Sequence, residues 1–177
     1  MLDLAYKYEN EIKEKLMNTW YDERYKFYHA SSYHSNYECP QDDWNSRHFV
    51  SLDDNGNVIG LISYEIDRVY EIANNFGAIN FTNNKLLFGR DLIQVIDDIF
   101  CRFNIRKIEF SCVVGNPIER SYDRIVKKFG GNIIGIRHKR CILHDNKFYD
   151  DKLYELFRED YLKSKQMKRR ESNEHIF

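Results

Sequence analysis

Apolar residues change their spacing along this chain from four to two and back, and each change marks an element. Leu4, Tyr8, Ile12, Leu16 and Trp20 step by four through a charged background. That spacing predicts one or two packing helices within residues 3–28. Arg47 to Leu52 reads as a short strand, followed by Asp53-Asp54-Asn55-Gly56-Asn57. Asn-Gly suits a type I′ hairpin turn, in which both central residues need positive φ. Val58 to Ile66 is the return strand, with Gly60, Ile62, Tyr64 and Ile66 on one face and Ile59, Leu61, Ser63 and Glu65 on the other. It is expected to run on irregularly to Ile72, with a turn at Asn74-Asn75 before a short strand from Phe76 to Phe81.

The middle of the chain, Asn84 to Gly131, carries the clearest pattern. Gly89 stands where a loop becomes a helix, and Leu92, Ile96, Ile99, Phe100 and Phe103 then form an apolar stripe. Ile108 to Val114 alternates with a period of two, as a buried strand does. Ile118, Tyr122, Ile125, Val126 and Phe129 return to helical spacing, and Gly130-Gly131 stop that helix. Beyond it, Asn132 to Leu143 is a strand whose Arg137-His138-Lys139-Arg140 run charges both faces, as at an edge. His144 to Lys147 is a turn, and Tyr149 to Phe157 is a strand or a helix by periodicity alone. The order predicts a mixed α/β fold, antiparallel in front, with one β–α–β crossover. The helix start in that crossover offers backbone amides to an anion.

Length and composition narrow the class. A chain of 177 residues, 15 % aromatic and with two prolines, makes one ordered domain with a real core. A net charge of −1 argues against bulk nucleic-acid binding, which needs clustered positive charge. Cys39, Cys101, Cys112 and Cys141 lack metal-ligand spacing and read as buried, reduced thiols. No apolar run is long enough for a membrane helix and the charged N-terminus lacks a signal core, so a cytoplasmic location is expected. His29 to Ser46 is a polar, aromatic loop of the kind that covers sites, with Tyr33, Tyr37 and Trp44 suited to an amine or a peptide end. His29 and His34 within it are either ligands or bases, or plain loop histidines.

Three stretches together resemble the GNAT superfamily of N-acetyltransferases, over roughly residues 47–160. The family's cofactor loop is Gln/Arg-x-x-Gly-x-Gly/Ala followed by Leu; here it is Asn84-Lys85-Leu86-Leu87-Phe88-Gly89-Arg90-Asp91-Leu92, with Asn84 in the leading position and Leu87 for the first glycine. Asn116-Pro117, Tyr122 and Gly130-Gly131 resemble the later Asn-Pro…Tyr…Gly-Gly segment, in a helix about one turn longer. The ending from Ile142 to Tyr154 is similar to the family's closing strands.

The resemblance implies a mixed, mostly antiparallel twisted sheet flanked by helices and splayed at a β-bulge. It implies one acetyltransferase domain over residues 1–162, with a basic tail at 163–177. Acetyl-coenzyme A would lie between the strands Phe76–Phe81 and Ile108–Val114, held by Ile79 and Phe81, by Leu87, Phe88, Gly89 and Arg90 at the helix start, and by Asn116. Tyr122 would give the leaving thiolate its proton, although it also fits the apolar stripe of its helix, and Asn116 could equally cap that helix. The carboxylate that many members carry before the loop is missing, so Glu65, Asp67, Glu71 or a water would act as base. No metal is called for. The implied activity is direct transfer of acetyl to a primary amine, on a small molecule or a protein, with a homodimer left open. The alternative is a catalytically inactive protein that keeps the fold for binding or regulation. Nucleic-acid binding by the basic tail ranks below both.

Overall fold

The computed structural model describes residues 1–20, 22–28, 37–40 and 44–174. Its strands are β1 (Leu2–Leu4), β2 (Ser46–Leu52), β3 (Val58–Asp67), β4 (Ile72–Asn80), β5 (Lys107–Val113), β6 (Asn132–Ile142) and β7 (Phe148–Phe157). The helices are α1 (Glu9–Thr19), α2 (Lys85–Asp97), α3 (Glu119–Phe129) and α4 (Arg158–Glu174), and α2 runs on into a π turn over Asp98–Arg102. Among the described residues one seven-stranded sheet has the order β1-β2-β3-β4-β5-β7-β6, with β4 and β5 its only parallel pair. The mixed, mostly antiparallel fold is therefore as expected, with the crossover β4–α2–β5 at its centre.

Alternation along the strands sorts the core onto two faces. Ile62, Tyr64, Ala73, Phe76, Ile108, Phe110, Tyr154 and Leu156 face α2, α3 and α4, meeting Leu92, Val95, Ile96, Tyr122, Val126, Phe129 and Tyr161. On the other face Val50, Leu52, Val58, Leu61 and Ile79 meet Ile12 and Leu16 of α1. Area removed from water drives both contacts, at roughly 25 cal/mol per Å² of apolar surface. Tyr161 extends the larger core, its ring 5.0 Å from Phe100 and 4.7 Å from Phe129. Residue 163 is accordingly no structural break, since α4 continues through it to Glu174.

Several expected boundaries move. Leu2–Leu4 is a strand paired with β2, not the start of a helix. The turn after β3 lies at residues 68–71, where the Asp67 carboxylate accepts the amides of Val69 and Tyr70 and Glu71 takes φ 54°. Asn74-Asn75 is then inside β4. The β2–β3 turn is not type I′, because only Gly56 has positive φ; Asp53 accepts the amides of Asn55 and Asn57, and the register shifts by a bulge. The segment from Phe148 to Phe157 resolves as a strand, paired with β5 on one side and edge strand β6 on the other. Of the cysteines only Cys112 is buried, and Cys101 is exposed on the π turn.

Candidate active site

β4 carries the feature that opens the sheet. Ser63 pairs with Gly77 and Glu65 with Asn74, so β4 spends one residue more than β3 across this interval. The extra residue is Asn75, at φ 48°. The bulge keeps Ala73 and Phe76 both on the helix-covered face and bends β4 locally. β4 and β5 pair only at Ile72–Lys107 and Ala73–Ile108, and from there the two strands part. This is the splay expected between Phe76–Phe81 and Ile108–Val114.

The backbone facing the splay differs from expectation. Phe81 donates its amide to Ile59 at 2.8 Å, and a β-carbon added at Gly60 would lie 2.7 Å from the Ile79 carbonyl oxygen. Ile79 and Phe81 thus turn their peptide groups toward β3. Alternation in an antiparallel pair leaves those of Ala78 and Asn80 directed into the gap. The side chain of Ile79 is buried under α1 and that of Phe81 packs beside it. Ala78 and Asn80, rather than the expected Ile79 and Phe81, therefore turn their peptide groups to the gap.

The start of α2 also moves, by about one turn. Asn84 caps the helix, its Oδ1 accepting the Leu87 amide at 3.2 Å, and Phe88 closes the first helical bond to the Asn84 carbonyl. Lys85 donates to the Asn83 carbonyl, and among the described residues the Leu86 amide is left as the unpaired donor of the first turn. Gly89 is then an interior helical residue, Phe88 is buried in the core, and the Arg90 guanidinium turns to Asp91. Any anion at this end would meet the turn from Asn84 to Leu87, not the expected Phe88-Gly89-Arg90. Asp91 is itself buried and accepts the Ser51 hydroxyl at 2.7 Å, tying α2 to β2. A β-carbon at Gly89 would meet nothing within 4 Å. Gly89→Ala should therefore stabilise the chain by about 0.5–1 kcal/mol, read by urea unfolding.

Across the gap, α3 carries Tyr122. Its ring meets Phe110 edge-on at 5.0 Å and Tyr154 at 6.0 Å, and it is buried. Among the described residues its hydroxyl has no hydrogen-bond partner. Burial raises the phenol well above its ordinary pKa, helped by the nearby Cys112, so it stays protonated at neutral pH. Cys112 is pushed up to about 12 by burial and is an inert thiol. Lys152 of β7 fixes the helix by bridging Asp123 at 2.7 Å and Glu119 at 3.1 Å, one turn apart. Asp123 also accepts the Tyr154 hydroxyl at 2.9 Å, and Lys152 holds its carboxyl below the usual range. Asn116 shapes the loop before α3, its Oδ1 accepting the Ile118 amide and its carbonyl the Glu119 amide.

The expected bases separate. Glu71 lies before the paired ends of β4 and β5, where its carbonyl accepts the Arg106 and Lys107 amides. The strands diverge from that point, so Glu71 is at the closed end and drops out. Glu65 is exposed on β3, opposite Asn74, on the face that carries α1. On that same face stand Ser63, paired with Gly77 of β4, and His48, paired with Ser63 from β2. His48 Nδ1 lies 3.0 Å from the Tyr37 hydroxyl. Burial lowers the His48 pKa, and Glu65 opposes that shift. The sequence reading missed His48, although its signal was present: it shares a strand face with Val50 and Leu52 and is the polar member of that row. Tyr33, His29 and His34 lie outside the described residues.

This arrangement, a sheet opened at a bulged fourth strand with a helix on each side of the opening, is the GNAT fold. Solved structures share it. A chimera of the Vibrio cholerae spermidine N-acetyltransferase SpeG with hSSAT is 27 % identical over 68 % of this chain and 72 % of its own, with a TM-score of 0.57. The Vibrio cholerae spermidine/spermine N-acetyltransferase SpeG with manganese ions is 25 % identical over 68 % and 70 %, with a TM-score of 0.58. Another SpeG–hSSAT chimera aligns over 92 % of this chain and 99 % of its own with a TM-score of 0.66, at 22 % identity, a likeness of fold. No protein-family model matches the chain, and neither does the sequence of any curated protein. Among the described residues no helix is long and apolar enough to cross a membrane.

Proposed function

We propose that the chain is an acetyl-coenzyme A-dependent N-acetyltransferase that moves acetyl to a primary amine by direct attack. The observation that carries this reading is the splay of β4 from β5, with the peptide groups of Ala78 and Asn80 turned into the gap. An extended pantetheine arm can bond there as an added strand would. Ala78 and Asn80 hold the arm, the turn from Asn84 to Leu87 faces the phosphates, and Tyr122 protonates the departing thiolate. Polyamines are the first acceptors to try, since the SpeG structures above are named for spermidine and spermine. The reading keeps the cytoplasmic location expected from the sequence and calls on no metal.

One observation favours a second reading, a GNAT fold kept for binding or regulation. Asn84 and Asn83 occupy two of the first-turn amides of α2 that would otherwise meet a diphosphate. Calorimetry with acetyl-coenzyme A, followed by thiol release with spermidine, lysine and tyramine, separates the two. Binding with thiol release on an amine is the expected result. Binding without release on any of the three favours the second reading, and no binding ends the first.

A further inference from the structure

The face of the sheet that carries α1 is divided along its strands. Over one half, Val50 and Leu52 of β2, Val58 and Leu61 of β3 and Ile79 of β4 are sealed by α1. Over the other half the same strands present His48, then Ser63 and Glu65, then Asn74 and Gly77. The polar half begins where apolar cover ends and borders the splay along β4. Its row His48–Ser63–Gly77 leads from a histidine straight to the bulged strand. At the Ser63–Gly77 step the strand surface is flat: a β-carbon added at Gly77 would sit 3.4 Å from Ser63 Oγ. Close by, the Asn74 side-chain oxygen is buried and has no partner among the described residues. An acceptor lying on this row would find a polar floor with nothing bulky on the two strands between the thioester and His48.

We propose that His48 is the general base of the acetyl transfer, taking the proton that the attacking nitrogen sheds, with Glu65 on the adjacent strand facing the imidazolium that results; this rests on the acetyltransferase reading above. The amine lone pair forms the C–N bond at the thioester carbonyl. The nitrogen then carries positive charge and becomes acidic, and its proton passes to His48 Nε2. The C–S bond breaks as the tetrahedral carbon collapses, and the thiolate takes the Tyr122 proton. His48 later gives its proton to solvent and Tyr122 regains one, so an amine and a thioester become an amide and a thiol. Two strand spacings of about 4.8 Å separate β2 from β4, so an amine lying over β3 and β4 passes its proton to His48 through bridging water.

The surroundings of His48 suit that task. Its Nδ1 is engaged by Tyr37, whose ring lies 5.6 Å away, so the ring is held and Nε2 is the nitrogen left for chemistry. The tautomer in which Nδ1–H donates to the Tyr37 oxygen is the one the proposal requires, because it leaves Nε2 as an acceptor. Burial keeps the ring neutral below the ordinary histidine value of about 6.5, which makes it available as a base at pH 7. Among the described residues the other groups facing it are Glu65 of β3 and, through Tyr37, the Cys39 thiol and Tyr28, with Glu9 and Lys13 of α1 behind them. Glu65 is too exposed to replace the histidine, but its charge falls on the imidazole and stabilises its protonated form.

The test uses the full chain, acetyl-coenzyme A, and spermidine, lysine and tyramine as acceptors. His48→Gln should lower kcat about 100-fold with KM for acetyl-coenzyme A unchanged, and should erase the acidic limb of the kcat/KM profile. His48→Gly should regain rate with added imidazole, which a structural role would not allow. Glu65→Gln should move the acidic limb to lower pH. NMR titration of the His48 ring should give a pKa that coincides with that limb. If the wild type turns over while His48→Gln keeps both rate and limb, or imidazole restores nothing, His48 is not the base and the acetyltransferase reading stands. If the wild type binds no acetyl-coenzyme A, or releases no thiol with any of the three amines, both fall.

Discussion

Tyr122→Phe is expected to lower kcat for acetyl transfer about 100-fold while leaving the thermal midpoint and KM for acetyl-coenzyme A near wild type. The substitution removes one oxygen. The ring keeps its contacts with Phe110 and Tyr154, so the core loses no apolar volume. Among the described residues the hydroxyl has no partner, so no buried group is left unsatisfied by its removal. Under the proposed acetyl transfer, the chemistry loses its acid. A departing thiolate needs a proton, and burial holds this phenol protonated through pH 10 and beyond, the range in which an ordinary tyrosine ionises. The wild-type rate should accordingly show no loss from Tyr122 up to pH 10. Full activity in the variant would reduce Tyr122 to a core residue and leave the thiolate to solvent. A fallen thermal midpoint would instead mean that the hydroxyl has a structural partner.

What the sequence showed and what it hid divide along a physical line. Spacing of two or of four located five strands and three helices, because burying one face imposes those periods on long elements. It failed where an element is short or is set by a partner. Leu2–Leu4 is too brief to show alternation, and its Leu4 falls in step with Tyr8 at helical spacing. Asn74-Asn75 looked like a turn because such pairs favour positive φ, and Asn75 does adopt it, but as a bulge within a strand. Gly89 drew the helix start toward itself, when the capping side chain of Asn84 had already set it at Lys85. Tyr122 and the splay were reachable through the family resemblance. Which peptide groups face the splay was not, since that depends on register against β3. Glu71 and Glu65 looked equivalent in the sequence. Only the parallel pairing at Ile72 and Ala73 shows that one stands at the closed end. His48 lay in plain view on an apolar strand face, and it gains meaning only beside Ser63, Glu65 and Gly77.

Gly131→Ala should cost about 3 kcal/mol, at the upper end for an overpacked site, and lower the thermal midpoint by about 6–12 °C. The added methyl would sit 2.4 Å from the Glu155 carbonyl oxygen and 2.3 Å from Leu156 Cδ2. Leucine could change rotamer on an open surface, but Leu156 is fully buried. The carbonyl belongs to β7, which is bonded to β5 on one side and β6 on the other, so it cannot retreat. The strain has to go into the junction of α3 with β6. There Gly130 ends the helix in the left-handed conformation at φ 74°, and the Gly131 amide closes the cap on the Val126 carbonyl. Displacing this cap tilts the helix that Lys152 pins through Glu119 and Asp123, and Tyr122 moves with it. Activity should therefore fall further than stability explains at a temperature where the variant is still folded. Gly89→Ala supplies the contrast, as the same added methyl in open space on α2. Equal thermal midpoints for the two variants would show that α3 can shift along the sheet without cost, and would remove the rigid placement on which the role of Tyr122 depends.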